Sequence, residues 1–247
     1  MTILGITLRT CHRASFGRHF WARVLVHLFV VATSACAASI ATVPSYVVAA
    51  DRTAPVYGMP ATEPDNWLLA FIDIETTGLL PGYHEMIDCG IVLTDLEGVP
   101  RDSFFVRIMP QHPERLTGGA RRVNGFDAAK WPSIAVAPSV AADSLMRWQK
   151  RAAAGKSVLL VTFNSQFDTS FLDALLREQG HHWRELYHYF VLDVPSMAWS
   201  LGLRDLTNGA LAQKLGVADE PRGSMAHNGL TGAQLDARIY RALRARR

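Results

Sequence analysis

Two acidic side chains, Asp73 and Glu75, close an apolar run in the segment Phe-Ile-Asp-Ile-Glu-Thr-Thr-Gly-Leu, residues 71–79. In a β-strand, side chains at positions i and i+2 point to the same face, so both carboxylates would meet near the strand end. Neighbouring carboxylates repel each other and are costly to keep charged together. A divalent cation such as Mg²⁺ relieves that repulsion because it prefers oxygen ligands. The pair therefore predicts metal chemistry, although a solvated strand edge or a turn cap would also explain an acidic pair taken alone.

Two later residues have side chains that would complete such a site. Asp168 follows an apolar segment, 157–163, and a polar stretch after a central strand is where open α/β sheets place ligand groups. An acid at a helix start is equally explained by its favourable interaction with the helix dipole. His227 lies in or just before a C-terminal helix, where a single histidine is usually a packing or surface residue. Both residues gain significance only together with Asp73 and Glu75.

The elements that would position these residues follow an α/β order. Apolar runs of strand length predict five β-strands, and short connections between the first three predict an antiparallel meander. The expected strands are residues 67–74, 86–94, 103–109, 157–163 and 189–192. Helical patterning is present at residues 120–123, 136–154, 166–179, 195–201, 208–215 and 225–245. This order predicts a mixed sheet covered by helices.

The first 50 residues differ in composition from the rest of the 247-residue chain. They contain four arginines and no acidic residue, and residues 24–50 contain no Asp, Glu, Lys or Arg. A basic start, a short apolar core and small residues are typical of a signal peptide. An uncleaved membrane anchor is the first alternative, and a start codon assigned too early is the second. We expect residues 1–50 to be a signal peptide or N-terminal membrane anchor, 51–66 a linker, and 67–247 the folded domain.

These alternatives differ in where they place the protein. A genuine leader makes it exported or membrane-anchored, with membrane contact through the N-terminal segment, whereas a misassigned start leaves it in the cytoplasm.

The formal net charge of +3 is also a property of the leader, because the rest of the chain has 21 basic and 22 acidic residues. Basic spots at residues 121–122 and 238–247 would suit phosphate contacts, but a solvated helix end explains the second equally well.

Three ordered segments resemble the motifs of the DEDDh 3′–5′ exonucleases, the superfamily of ribonuclease T and the proofreading subunit of bacterial DNA polymerase III. Residues 71–79 resemble the first motif, residues 164–172 the second, and residues 227–240 the third. The resemblance covers roughly residues 67–245. It implies a ribonuclease H-like fold, an α/β domain with a mixed five-stranded sheet flanked by helices.

The resemblance also implies a reaction and its residues. Asp73, Glu75 and Asp168 would hold two divalent cations, Mg²⁺ or Mn²⁺. His227, whose ordinary pKa is near neutrality, would act as general base toward the attacking water. The terminal nucleotide would be contacted at Thr76 and Leu79. The expected reaction releases nucleoside 5′-monophosphates from nucleic acid 3′ ends, with DNA and RNA, and single strands and duplex ends, as alternatives, and the oligomeric state open.

One position departs from the family pattern. The family carries a carboxylate five residues after the histidine of the third motif, and here that position is Gly232. The next acid, Asp236, lies on roughly the same helix face but about 6 Å further along the axis. One interpretation is a working exonuclease, with metal binding weakened or completed by Asp236. The other is a catalytically impaired module that binds nucleic-acid ends or a protein partner. Retention of the other four motif residues favours the first.

Overall fold

The computed structural model describes residues 58–221 and 226–246. The expected leader, 1–50, and the first part of the expected linker, 51–57, lie outside the described residues, so the signal peptide or anchor stays a prediction. No helix within the described ranges is long and apolar enough to cross a membrane.

Five strands within the described residues form one mixed sheet, as predicted. They are β1 (Trp67–Thr76), β2 (Met86–Thr94), β3 (Pro100–Arg107), β4 (Ser157–Thr162) and β5 (Val191–Asp193), in the order β3-β2-β1-β4-β5. β1 pairs antiparallel with β2 and β2 with β3, which confirms the meander, while β4 lies parallel to both β1 and β5. The carboxyl ends of β1, β4 and β5 therefore meet at one edge of the sheet.

The described residues form six α-helices, five of which pack on the two faces of the sheet. They are α1 (Gly118–Asn124), α2 (Pro138–Ala153), α3 (Ser165–Arg177), α4 (Val194–Ser200), α5 (Asn208–Leu215) and α6 (Gly229–Arg244). One buried apolar cluster joins the sheet to α2 and α3, and a second joins the opposite face to α4, α5 and α6. These two layers confirm the predicted α/β architecture.

Most predicted boundaries lie within two residues of those in the structure, and two are wrong by three or four residues. The third strand lies at Pro100–Arg107 rather than at 103–109, because the first four residues of this edge strand are exposed and lack an apolar pattern. The last helix begins at Gly229 rather than at residue 225. Asn228 caps it, since its side chain accepts hydrogen bonds from the backbone N–H groups of Leu230 and Thr231.

Glycines allow α6 to lie directly on β1 and β2. A Cβ at Gly90 of β2 would lie 2.0 Å from the backbone nitrogen of Leu230, and one at Gly229 would lie 2.4 Å from the carbonyl oxygen of Asp73. Neither position has room for a side chain. The N–H of Gly229 also donates to Asp88 Oδ1 at 2.9 Å, which fixes the helix start on the sheet. The helix is thereby held against the strand end that carries the acidic pair.

Candidate active site

A pocket of about 580 Å³ opens at the carboxyl end of β1. Five of the six predicted site residues line it, namely Asp73, Glu75, Thr76, Leu79 and His227. The sixth, Asp168, lies in the first turn of α3 and is buried, with 4% exposure. The structure therefore brings residues from three distant parts of the chain to one edge of the sheet.

The strand geometry expected for Asp73 and Glu75 is present. Trp67, Leu69 and Phe71 of β1 all belong to the apolar cluster under α6. Asp73 and Glu75 continue that odd-numbered series, so their side chains face the α6 side of the sheet, where the cluster ends and the pocket begins.

His227 lies between two carboxylates, which together with it form what we call the outer group: Glu75, His227 and Glu220. Its Nε2 is 2.9 Å from Glu75 Oε1, and its Nδ1 is 3.0 Å from Glu220 Oε2. The second contact is a close ion pair whose angles fall short of an aligned hydrogen bond. Glu220 and Glu75 raise the pKa of His227 from 6.5 to about 10, so at neutral pH the ring carries a positive charge in this arrangement.

Three further acids, Asp73, Asp168 and Asp236, form what we call the inner acids. Burial raises the pKa of Asp73 well above its ordinary value, and the charges of Asp168 and Asp236 raise it further. Burial raises the pKa of Asp168 to about 8. Burial, followed by the charge of Asp168, raises the pKa of Asp236 in the same direction. The three carboxyl groups thus influence one another in a part of the protein that disfavours their charged forms.

The missing side chain at Gly232 leaves a notch that Asp73 fills. A Cβ built on Gly232 would lie 2.0 Å from Asp73 Oδ2 and 2.6 Å from its carboxyl carbon. Atoms cannot approach so closely, so any side chain at position 232 would require Asp73 to move. Gly232 therefore accommodates the carboxylate on which the predicted metal site depends.

Asp236 lies one helical turn beyond the notch and is completely buried. Its Oδ1 accepts a hydrogen bond from Asn208 Nδ2 at 3.2 Å, and Asn208 is itself part of the pocket lining. Within residues 58–221 and 226–246, Asp236 Oδ2 has no hydrogen-bond partner. A buried carboxylate oxygen without a partner is unusual and requires an explanation.

The donor set suits a divalent cation in its chemistry, because it consists of several hard carboxylate oxygens and includes the unpartnered Asp236 Oδ2. The side chains are not gathered around one metal position, however. Among the described residues, no group of three or more His, Cys, Asp and Glu side chains is arranged to hold a metal ion. The assignment of Asp73, Glu75 and Asp168 as metal ligands thus stays a prediction, and it requires side-chain rotation on binding.

Thr76 and Leu79 occupy different surroundings within the pocket. The Thr76 hydroxyl donates to the Gly78 carbonyl at 2.6 Å, and the Thr76 carbonyl accepts from Asn124 Nδ2 at 2.9 Å. Leu79 is 76% exposed at the rim. Thr76 thus supports the wall through its backbone and hydroxyl, whereas Leu79 offers an apolar surface to a ligand.

Several residues that the fold brings to the pocket were not predicted as site residues, among them Glu220, Asn208 and Phe167. Glu220 belongs to a loop with no motif spacing, and Asn208 is an ordinary residue in the first turn of α5. Phe167, immediately before Asp168, packs against Phe171 in a tilted orientation, with ring centroids 4.8 Å apart. Only the adjacency of Phe167 to a motif acid could have signalled its place.

No protein-family model and no curated protein sequence matches the chain. Solved structures do match its fold. The nuclease domain of 3'hExo, a DEDDh family member bound to rAMP, matches with a TM-score of 0.58 and 18% identity over 72% of this chain and 90% of that one. The zinc-bound complex of E. coli exonuclease I with single-stranded DNA matches with a TM-score of 0.60 and 14% identity. That match covers 73% of this chain and 41% of exonuclease I. The predicted ribonuclease H-like fold, shared with DEDDh exonucleases, is confirmed.

Proposed function

We propose that the protein is a metal-dependent 3′–5′ exonuclease that hydrolyses the terminal phosphodiester of DNA or RNA and releases nucleoside 5′-monophosphates. One observation carries the proposal: Asp73, Glu75 and His227 share one pocket, and Asp168 is buried beside the pocket-lining Phe167, on the fold of known exonucleases. Two of the matching structures concern single-stranded DNA and a histone mRNA stem-loop, and both polymers are therefore candidate substrates.

In this proposal Asp73, Glu75 and Asp168 hold two divalent cations, Mg²⁺ or Mn²⁺. When bound, the cations would supply charge stabilisation at the phosphate and lower the pKa of the attacking water. His227 Nε2 would take a proton from the attacking water while its oxygen forms a bond to phosphorus and the bond between phosphorus and the 3′ oxygen breaks. The departing 3′ oxygen would take its proton from solvent water. Because Glu75 Oε1 lies 2.9 Å from Nε2 and, together with Glu220, raises the pKa of His227 to about 10, the ring is protonated in this arrangement. Glu75 would first have to turn away from the ring, which lowers the pKa of His227, and Nε2 would have to lose its proton before it can accept one from the water.

The pocket walls would position the nucleotide. Leu79 and Phe167 present apolar surface on which a base can pack, and Val123 of α1 adds more, being 59% exposed. Stacking of this kind tolerates any base, which agrees with removal of terminal nucleotides irrespective of sequence.

The direct test uses the full chain with 5′-labelled single-stranded DNA and RNA oligonucleotides in Mg²⁺ or Mn²⁺. We expect a ladder of products shortened from the 3′ end and nucleoside 5′-monophosphates in solution. A 3′-terminal phosphorothioate linkage should slow the first step, EDTA should stop the reaction, and Asp168→Asn is the matched inactive control. Oligonucleotides left intact by the full chain in both metals would refute the proposal.

A second function is favoured by the absence of a side chain at Gly232 and by the side chains not being gathered around a metal position. In that case the protein binds nucleic-acid ends without cutting them. Fluorescence anisotropy on the same oligonucleotides distinguishes the two, because an end-binding module would bind tightly, leave the strand intact and respond little to Asp168→Asn.

A further inference from the structure

The position of Asp236 is unusual for an acidic residue in a helix, because its side chain is not at the surface. It is completely buried on the α6 face that packs against the sheet, and no arginine or lysine of the described residues forms an ion pair with it. A carboxylate with one unpartnered oxygen in such a place is costly, because desolvation is not repaid by a hydrogen bond. The fold tolerates this cost next to Asn208, which lines the candidate pocket and is the hydrogen-bond partner of Asp236.

The notch at Gly232 links Asp236 to that pocket. Residues 232 and 236 are one turn apart on the same face of α6, and that face meets Asp73 at Gly232. Asp73 Oδ2 occupies the place where a side chain at 232 would begin. The carboxylate of Asp73 thus leans into α6, on the face that carries Asp236.

A second element fixes the orientation of Asp236. Asn208, in the first turn of α5, donates to Oδ1 and also lines the pocket. With Oδ1 engaged by Asn208, Oδ2 is the oxygen left over. One anchored oxygen and one available oxygen are typical of a carboxylate that a neighbouring hydrogen bond orients toward a metal.

We propose that Asp236 is the fourth carboxylate of the cation site, acting from one helical turn beyond Gly232, and that Gly232 is the notch that lets Asp73 reach it. This inference rests on the proposed metal-dependent function. The departure at Gly232 is then a relocation of the fourth acid, with the ligand set Asp73, Glu75, Asp168 and Asp236. It also reverses a simple expectation, since an acid at position 232 would displace Asp73 and would not repair the site.

The test measures Mn²⁺ binding to the full chain by isothermal titration calorimetry and by the loss of the free Mn²⁺ electron paramagnetic resonance signal, without substrate. Asp236→Asn keeps the shape of the side chain and an acceptor for Asn208, so the fold should persist. We expect it to weaken Mn²⁺ binding by roughly tenfold or more. Asp143→Asn, an exposed acid on α2, is the matched control and should bind as wild type.

Gly232→Asp supplies the second arm. We expect it to weaken Mn²⁺ binding, because Asp73 must leave the notch. The inference is overturned if wild type binds Mn²⁺ and Asp236→Asn binds it equally well, or if Gly232→Asp tightens binding tenfold. If wild type neither binds Mn²⁺ nor cleaves, the proposed function has failed and this inference fails with it.

Discussion

Glu75 and Glu220 of the outer group flank an imidazole of opposite charge, whereas the inner acids face one another. The two ion contacts of His227 measure 2.9 and 3.0 Å. Within the part of the chain that the structure describes, none of the inner acids has a comparable cationic partner. The outer group therefore balances its charge internally, while the inner acids need protons or a bound cation. In the proposed site, the greater need for a bound cation thus lies with the inner acids, which lack a cationic partner among the described residues.

The largest effect should come from an inner acid. Asp168→Asn removes a proposed metal ligand, and we expect exonuclease activity to fall by about a thousand-fold or more, since a metal contributes several kcal/mol to such reactions. Rates of oligonucleotide shortening measure it, with Asp173→Asn, on the same helix, as control. Activity within tenfold of that of the wild type would contradict the proposed difference in role between the inner acids and the outer group.

A slightly smaller effect should follow from the outer group. His227→Gln removes the proposed proton acceptor, and we expect the turnover rate to fall about 10²- to 10⁴-fold. Mn²⁺ affinity should stay close to that of wild type, because the ring is not a proposed ligand. Calorimetry in parallel with kinetics separates the two quantities. A large loss of Mn²⁺ affinity in this variant would mean that the outer group and the inner acids do not have separate roles.

The pH dependence of stability should differ between the inner acids and the outer group. The pKa of Asp168 rises from 3.8 unfolded to about 8 folded, so the folded state binds the additional proton. In EDTA the free energy of unfolding should therefore fall by on the order of a few kcal/mol as pH rises from about 4 to about 8. Urea titrations across that range measure the slope, and Asp168→Asn should reduce it without abolishing it, because the pKa values of Asp73 and Asp236 are raised as well.

The outer group should respond in a different window. The folded pKa of His227, about 10, lies above its ordinary 6.5, so its stabilising contribution is complete below about pH 6.5 and disappears as pH rises through about 10. Adding Mn²⁺ should reduce the slope due to the inner acids. If the free energy of unfolding of the wild-type protein rose between pH 5 and 8 in EDTA, the raised pKa values assigned to the inner acids would be contradicted.

Glu220 offers a more modest test of the outer group. Glu220→Ala removes the contact to His227 Nδ1, and we expect a fall in turnover of about tenfold, comparable with the loss of other orienting partners. Glu220→Gln, which keeps an acceptor oxygen, should recover most of that loss. Equal defects in both variants would argue that charge matters here and orientation does not.

The smallest effect should appear at the rim. Leu79→Ala removes an exposed apolar contact, so stability should change by less than about 0.5 kcal/mol. The Michaelis constant for oligonucleotides should rise several-fold, since fully burying a leucine side chain is worth about 1.5–3 kcal/mol and a partial contact with a base is worth less. Leu80→Ala, also exposed but absent from the pocket lining, is the matched control. A fall in turnover with unchanged Michaelis constant would place Leu79 in the chemistry.

The elements were predictable where local pattern decides them. β2 has the predicted bounds, and β1 and β4 differ only at their ends, because long apolar runs between turns specify buried strands. β3 was displaced because its exposed half carries no apolar signal. The site residues were likewise predictable only where a local pattern relates them. Asp73 and Glu75 share a face by strand periodicity alone, whereas Glu220 has no spacing that relates it to His227.

The sequence by itself determined the α/β element order, the strand end that carries Asp73 and Glu75, and the motif residues that meet them. Only the tertiary structure decided what Gly232 means. Its role depends on how closely α6 approaches β1, and that distance is set by the absence of Cβ atoms at Gly90, Gly229 and Gly232. Periodicity specifies the face on which a side chain lies, but contacts between segments more than 140 residues apart depend on packing. For that reason the sequence shows Asp236 only as an acid four residues away from the motif position, whereas the fold places it one helical turn from the notch at Gly232.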